Sequence, residues 1–225
     1  MMKKIISGLM AIFMILLAVT TACLTGNNIT VNAATPAHTA KTIYIGDSRA
    51  VDMFEAVTGT EKEQKTEVHS YDQNGDYWIA RNYMNYKWMT ADAQVKELDS
   101  VYHRGDTVVI MMGVNDCRFH GRYKWYTRYL KKMAKKYSHV AYVSVNAIRQ
   151  TPAATTKTQN GDVCLWNYHM YNNLPEKVNW FDTYAYTYAV NPSIMEFTDD
   201  GMHYQQNTSL MIYSLILWYK QCTGL

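Results

Sequence analysis

Three short polar motifs carry residue types that could do chemistry together: Gly46-Asp47-Ser48-Arg49, Gly113-Val114-Asn115-Asp116 and Asp200-Gly201-Met202-His203. A serine hydroxyl is a weak nucleophile until a neighbouring base removes its proton. A neutral imidazole is the side chain suited to that task near neutral pH. A carboxylate three residues before a histidine can reach the other ring nitrogen and fix the tautomer. An asparagine amide can donate to an oxyanion as it develops. Ser48, His203, Asp200 and Asn115 are thus the parts needed for attack on an acyl carbonyl. Singly, each motif has a plainer reading. Gly-Asp-Ser is ordinary turn chemistry, and Ser48 could be a helix N-cap. Asn115-Asp116 and Asp199-Asp200-Gly201 could each be no more than a turn.

The elements that must position them can be read from periodicity. Residues 41–46 form a β-branched apolar run stopped by glycine, which predicts a strand, and 49–56 a helix directly after Ser48. A weaker strand is expected at 66–71. Ala91, Val95, Leu98 and Tyr102 mark an amphipathic helix. The continuous apolar run 107–112 predicts a strand covered on both faces. A helix through Trp125, Tyr129, Leu130, Met133 and Tyr137 follows, with Arg128, Lys131, Lys132, Lys135 and Lys136 mostly on its solvent side. A strand at 140–145, a helix at 164–174, a short strand at 178–181 and a last helix at 207–220 complete the series. Strands alternating with helices imply right-handed crossovers and a mainly parallel sheet with helices on both faces. Sites in such sheets form where loops leave the C-terminal strand ends. Two of the motifs fall there, and the third precedes the last helix.

In this order and at these positions the motifs resemble the SGNH (GDSL-like) hydrolases, over a stretch from Tyr44 to Tyr204. The resemblance implies an α/β three-layer sandwich, SGNH/flavodoxin-like, and ester hydrolysis without metal or cofactor. It implies Ser48 as nucleophile, His203 as base and Asp200 as its partner. The oxyanion would be held by the Ser48 backbone N–H and the Asn115 amide. The family usually adds the backbone N–H of a glycine between the first and third motifs. The matching segment, 80–88, has none, so Asn82 or Tyr83 would have to present the N–H, or Gly75 from the preceding turn. Arg49 and Asn146 are candidates for holding substrate, and His120 for the rim. The aromatic content, 19 Tyr and 6 Trp, suits stacking on sugar rings, although a structural role is the commoner use. The expected substrate is a small acyl ester, such as an acetyl group on carbohydrate or cell-wall glycan. Lipase or thioesterase specificity, and a weakly catalytic glycan-binding protein on the same fold, are the rivals.

Residues 1–33 read as an export signal. Lys3 and Lys4 precede an uncharged apolar stretch to Val19, and Val31-Asn32-Ala33 suits signal-peptidase cleavage. The segment could instead stay as an anchor, or Cys23 could be lipidated within Thr20-Thr21-Ala22-Cys23. Each reading places the domain outside the cytoplasm, secreted or at the cell surface, with no membrane span in the cleaved form. Residues 34–40 read as a linker and 41–225 as one hydrolase domain. Without the leader the chain carries 20 Lys and Arg against 19 Asp and Glu, a balance that argues against nucleic acid as main partner. Cys117, Cys164 and Cys222 remain after cleavage, an odd number that permits at most one internal disulfide. No metal-binding spacing or phosphate-binding glycine loop is present.

Overall fold

The computed structural model describes residues 39–61, 64–150, 156–189 and 192–225. The expected leader, its cleavage site and Cys23 lie outside them. In chain order the elements are β1 (Thr42–Gly46), α1 (Ser48–Thr58), β2 (Glu67–Tyr71), β3 (Tyr77–Arg81), the one-turn α2 (Tyr86–Met89) and α3 (Asp92–Val101). They continue with β4 (Thr107–Met111), α4 (Tyr123–Lys136), β5 (His139–Val143), α5 (Asn160–Asn173), β6 (Val178–Phe181) and α6 (Gln206–Thr223).

The six strands lie in the order β2-β3-β1-β4-β5-β6. Only the β2–β3 hairpin is antiparallel; the other four pairings are parallel. The pleat sends successive side chains to opposite faces, so each buried strand feeds two cores. Ile43, Ile45, Ile79, Val108 and Ile110 pack with Leu98 of α3, Leu130 of α4 and Trp166 of α5. Tyr44, Trp78, Val109, Ala141 and Phe181 pack on the other face with Phe54 of α1 and Ile212 of α6. The expected three-layer α/β sandwich is therefore present. Among the described residues no helix is long and apolar enough to cross a membrane.

One strand was not foreseen. The sequence reading assigns no element to Tyr77–Arg81, yet it pairs with β1 on one side and β2 on the other. Covered on both faces, its centre is Trp78, Ile79 and Ala80, all fully buried. It therefore lacks the apolar/polar alternation that marks a half-exposed strand.

The register decides where the site forms. Gly46 is level with Ala80 of β3 and with Met111 of β4. The residues that follow these three strands, 47–49, 82–84 and 112–115, consequently share one rim of the sheet. That rim is where the chain order reverses, with β3 to one side of β1 and β4 to the other. Gly46 permits the junction: a Cβ there would lie 2.1 Å from the Ala50 Cβ and 3.2 Å from the Met111 carbonyl oxygen. We expect Gly46→Ala to cost about 1–3 kcal/mol through overpacking. Urea denaturation should show part of the loss restored in Gly46→Ala/Ala50→Gly, where the opposing methyl is removed.

Candidate active site

Ser48 opens α1, but it does not cap it. That role falls to Asp47, whose backbone is extended and whose Oδ1 accepts from the Arg49 backbone N–H at 3.2 Å. The arrangement leaves the Ser48 hydroxyl uncommitted to the helix. Instead it donates to Nε2 of His203 at 2.8 Å. On the far side of the ring, Nδ1–H of His203 donates to Oδ2 of Asp200. With Nδ1 protonated by this pairing, Nε2 presents its lone pair to Ser48, the tautomer that base catalysis needs.

Asp200 is held as a carboxylate by its own turn. Its Oδ1 accepts from the Met202 N–H at 2.8 Å, the His203 N–H at 3.0 Å and the Thr198 hydroxyl at 2.6 Å. Partial burial pushes the carboxyl pKa up. The hydrogen bonds from Thr198, from the His203 backbone and ring and from Met202 outweigh it, and hold the group well below the usual carboxylate range.

The turn carrying His203 is tied down by two arginines and a tyrosine. Arg49 donates from Nε to the Met202 carbonyl at 3.0 Å, from Nη1 to that of Asn146 at 2.7 Å and from Nη2 to that of Ala147 at 3.2 Å. Its guanidinium lies over the Tyr204 ring, 4.6 Å from the centroid, and the Tyr204 hydroxyl donates to the Ala147 carbonyl at 2.7 Å. Arg149 donates from its backbone N–H to the Gly201 carbonyl at 2.7 Å and from Nη2 to that of Thr198 at 3.1 Å. Arg49 is 8% exposed. The expectation that it holds substrate is corrected: three of its five N–H groups bind main-chain carbonyls, so it joins the residue after the nucleophile to the histidine turn. Asn146 is corrected likewise. Its carbonyl receives Arg49, its Oδ1 accepts from the Thr187 hydroxyl at 3.4 Å, and it lines an interior cavity of about 30 Å³ beside Asp47 and Met53. That is room for a water or two.

On the same rim, Gly113 (φ 136°) turns the chain out of β4, where a Cβ would lie 2.9 Å from the Tyr142 hydroxyl. Asn115 follows. Its Nδ2 donates to the Met84 carbonyl at 2.8 Å, and because the amide carries two hydrogens a second N–H remains to serve an oxyanion. Asp116 is fully buried. It accepts from the Tyr86 N–H and the Tyr126 hydroxyl, each at 2.8 Å, and from Arg122 Nη1 at 2.5 Å. Read from sequence as an ordinary turn residue, it is the post that holds the loop after β3 against α4. No periodicity could reveal that; the only signal is a carboxylate beside Asn115 in an otherwise apolar stretch.

The loop after β3 holds the segment that lacks the expected glycine. The Asn82 backbone N–H donates to the Thr66 carbonyl at 2.9 Å, so it cannot serve an oxyanion, and that expectation is corrected. Gly75 lies in the β2–β3 hairpin, at the opposite end of the sheet from the rim. Tyr83 is the single described non-glycine residue with positive φ, at 63°. It takes up the left-handed backbone that a glycine would hold freely, and its ring is 81% exposed. Tyr44 and Tyr204, the other tyrosines close to the motifs, are buried, Tyr44 stacked on Trp78 with centroids 4.1 Å apart.

Among the described residues, neither the remaining histidines nor the cysteines join the constellation. His120 bonds Asp162 at 3.1 Å, His69 sits between Glu67 and Glu97, and His169 stacks on Tyr123. Cys117 is buried, and Cys164 and Cys222 are exposed and unbridged. Burial pushes the Cys117 thiol up to about 12, which leaves it protonated and a poor nucleophile.

No protein-family model matches the chain, and no curated protein does either. Solved structures do. A member of the lipolytic G-D-S-L family from Veillonella parvula is 12% identical, covers 80% of this chain and 97% of its own, and superposes with a TM-score of 0.59. The chain has the fold of these G-D-S-L proteins. The acetylxylan esterase Axe2 of Geobacillus stearothermophilus is also 12% identical, with 80% and 93% of the two chains covered and a TM-score of 0.51. The catalytic domain of peptidoglycan O-acetyltransferase A from Streptococcus pneumoniae is 16% identical, with 82% and 94% covered and a TM-score of 0.51. The resemblance read from three motifs thus holds at the level of the fold.

Asp47 gives a test of the site's electrostatics. Complete burial pushes its carboxyl up to about 6, against the pull of Arg49 and its N–H bond. A group whose pKa rises on folding stabilises the fold below its unfolded pKa, and that stability is lost as pH climbs through the folded value. Asp47→Asn keeps an acceptor for the Arg49 N–H and removes the buried charge. Urea unfolding should therefore find Asp47→Asn equal to wild type near pH 4 and more stable by about 3 kcal/mol at pH 8, with the gap opening through about pH 6.

Proposed function

We propose that this protein is a serine ester hydrolase. The observation that carries the reading is the chain of hydrogen bonds Ser48–His203–Asp200, assembled from two segments 155 residues apart in sequence. Ser48 Oγ attacks the acyl carbonyl carbon as its proton passes to Nε2 of His203. The negative charge that forms on the carbonyl oxygen is met by three donors: the Ser48 backbone N–H, the free N–H of Asn115 and the backbone N–H of Tyr83. His203 then returns the proton to the leaving alcohol, and an acyl-serine remains. A water deprotonated by His203 attacks that acyl group, and collapse of the second tetrahedral species restores Ser48 and releases the acid. Asp200 stays ionised throughout and stabilises the imidazolium at each proton transfer.

For the substrate we infer a small acyl group, acetyl foremost, on a carbohydrate or cell-wall glycan. Two of the structures of like fold are by name an acetylxylan esterase and a peptidoglycan O-acetyltransferase. The exposed Tyr83 ring, on the loop that follows β3, provides one face on which a sugar can stack. An export leader at residues 1–33, removed after Ala33, would deliver the domain to such a substrate outside the cell.

Two measurements check this. Purified protein should hydrolyse a chromogenic acetate ester, and Ser48→Ala should lower kcat by about three orders of magnitude or more. Rates equal to background in both proteins, across several acyl lengths, would remove the enzyme reading. Tyr83→Gly keeps the backbone N–H and relieves the left-handed strain of a Cβ. It should hold kcat within a few-fold and gain up to about 1 kcal/mol of stability, with its loss confined to KM for a glycan ester. A fall in kcat of about a hundredfold, the usual result of removing an oxyanion donor, would place the tyrosine's contribution in its ring.

A further inference from the structure

The near-neutral total charge conceals a strong local asymmetry. Residues 118–136 hold eight of the 22 Lys and Arg and no Asp or Glu, so the rest of the chain holds 14 cations against 19 anions. Most of that excess lies on α4. Lys124, Arg128, Lys131 and Lys135 recur at spacings of four, three and four, which puts them in one row along the helix, about 16 Å long. All four are exposed. Two cations beside the row are already matched, Arg122 with Asp116 and Lys136 with Asp99, each at 2.5 Å. The row itself has no carboxylate on its own helix to face.

Nor does the row stand on a convex surface. Lys124, Arg128 and Lys131 form one wall of an open cleft of about 620 Å³, and Asn173, Pro175 and Glu176 from the corner after α5 form the other. A concave, elongated cationic groove suits a chain rather than a plane. A lipid surface could not reach into it, and Glu176 on the far lip would face the anionic headgroups. A nucleic acid strand would need free aromatic faces for its bases. The one ring in the groove, Tyr123, has a face taken by His169, stacked at 4.5 Å with 6° between the planes.

We propose that the α4 groove binds a single flexible strand of a phosphate-bearing polymer that lacks bases, with Lys124, Arg128 and Lys131 in its wall and Lys135, which continues the row beyond the cleft, each meeting a phosphate. The site is separate from Ser48 and does not rest on the esterase reading. On that reading, it would retain the enzyme on an anionic polymer that accompanies its substrate.

Short-chain inorganic polyphosphate is the probe, with binding followed by tryptophan fluorescence from 50 to 200 mM salt. Four phosphate contacts on a single strand predict an affinity loss of about 50-fold across that range. Replacing Lys124, Arg128, Lys131 and Lys135 together with Gln should weaken binding at 50 mM by about tenfold or more and flatten the salt dependence. The partial variant Lys131→Gln/Lys135→Gln should halve the slope. A charge-matched control, Lys87, Lys96, Arg104 and Lys157 to Gln, should change affinity less than about twofold. Circular dichroism should show all variants folded. No binding, or equal weakening in row and control variants, would overturn the proposal and leave the row as a solvated face. Tighter binding per phosphate to vesicles of phosphatidylcholine and phosphatidylglycerol would overturn it in favour of a membrane. Tighter binding to a single-stranded oligodeoxythymidylate would overturn it in favour of nucleic acid.

Discussion

The site depends on a division of labour between Asp47 and Ser48 at the start of α1. A helix start leaves backbone N–H groups that need acceptors, and serine is among the residues best suited to supply one. Were Ser48 to cap its own helix, its oxygen would turn towards the N–H groups of the first turn and away from His203. Asp47 takes that duty from one position earlier, so the hydroxyl at Ser48 is free to bond Nε2. The cost is a carboxylate buried to 2% exposure. Arg49, two residues on, partly offsets it through space, and the same guanidinium fastens the His203 turn through the Met202 carbonyl. Three consecutive residues thus cap the helix, present the nucleophile and anchor the base.

Arg49 shows why a buried cation can be more useful here than one in the cleft. The main-chain carbonyls of Asn146 and Met202 accept from it, and that of Ala147 accepts from both it and the Tyr204 hydroxyl. A planar guanidinium can serve all three at once, and the Tyr204 ring beneath it keeps the plane from rotating. A lysine offers one charge point and cannot span the same carbonyls. The geometry therefore makes Arg49 a positioning residue for His203, which is a different role from contact with a substrate.

Much of the fold was legible from the chain because its signals are local. The runs at 42–46 and 107–111 announce strands, and the four- and three-residue spacings of α3 and α4 announce helices. Tyr77–Arg81 escaped because burial on both faces erases the alternation by which a strand is recognised. At the site, the side chains of the proposed reaction were legible: Ser48, Asn115, Asp200 and His203 are polar residues at predicted strand ends or before a helix. What could not be read was how the other polar groups are occupied. Whether Arg49 faces the cleft or the interior depends on where three carbonyls fall, and these come from segments about 100 and 150 residues away. Asp116 posed the same difficulty, since its partners Tyr86 and Tyr126 belong to different elements.

The proposed oxyanion donor sharpens the point, because it belongs to no side chain. A family pattern records glycine at that position for its backbone freedom, and a search for the letter finds nothing in 80–88. What the proposed reaction needs is a backbone N–H on the rim that carries Ser48, and a left-handed residue can present one. Tyr83 supplies that backbone although its Cβ opposes it. The surroundings over-determine the turn: Asn82 is tied to Thr66 on one side, and Met84 to Asn115 and Tyr86 to Asp116 on the other. Strain of this kind persists where neighbouring bonds outweigh it. A tyrosine there also brings what no glycine could, an exposed ring on the loop that follows β3. On the proposed mechanism, the change from the expected glycine alters the side chain and keeps the main-chain donor.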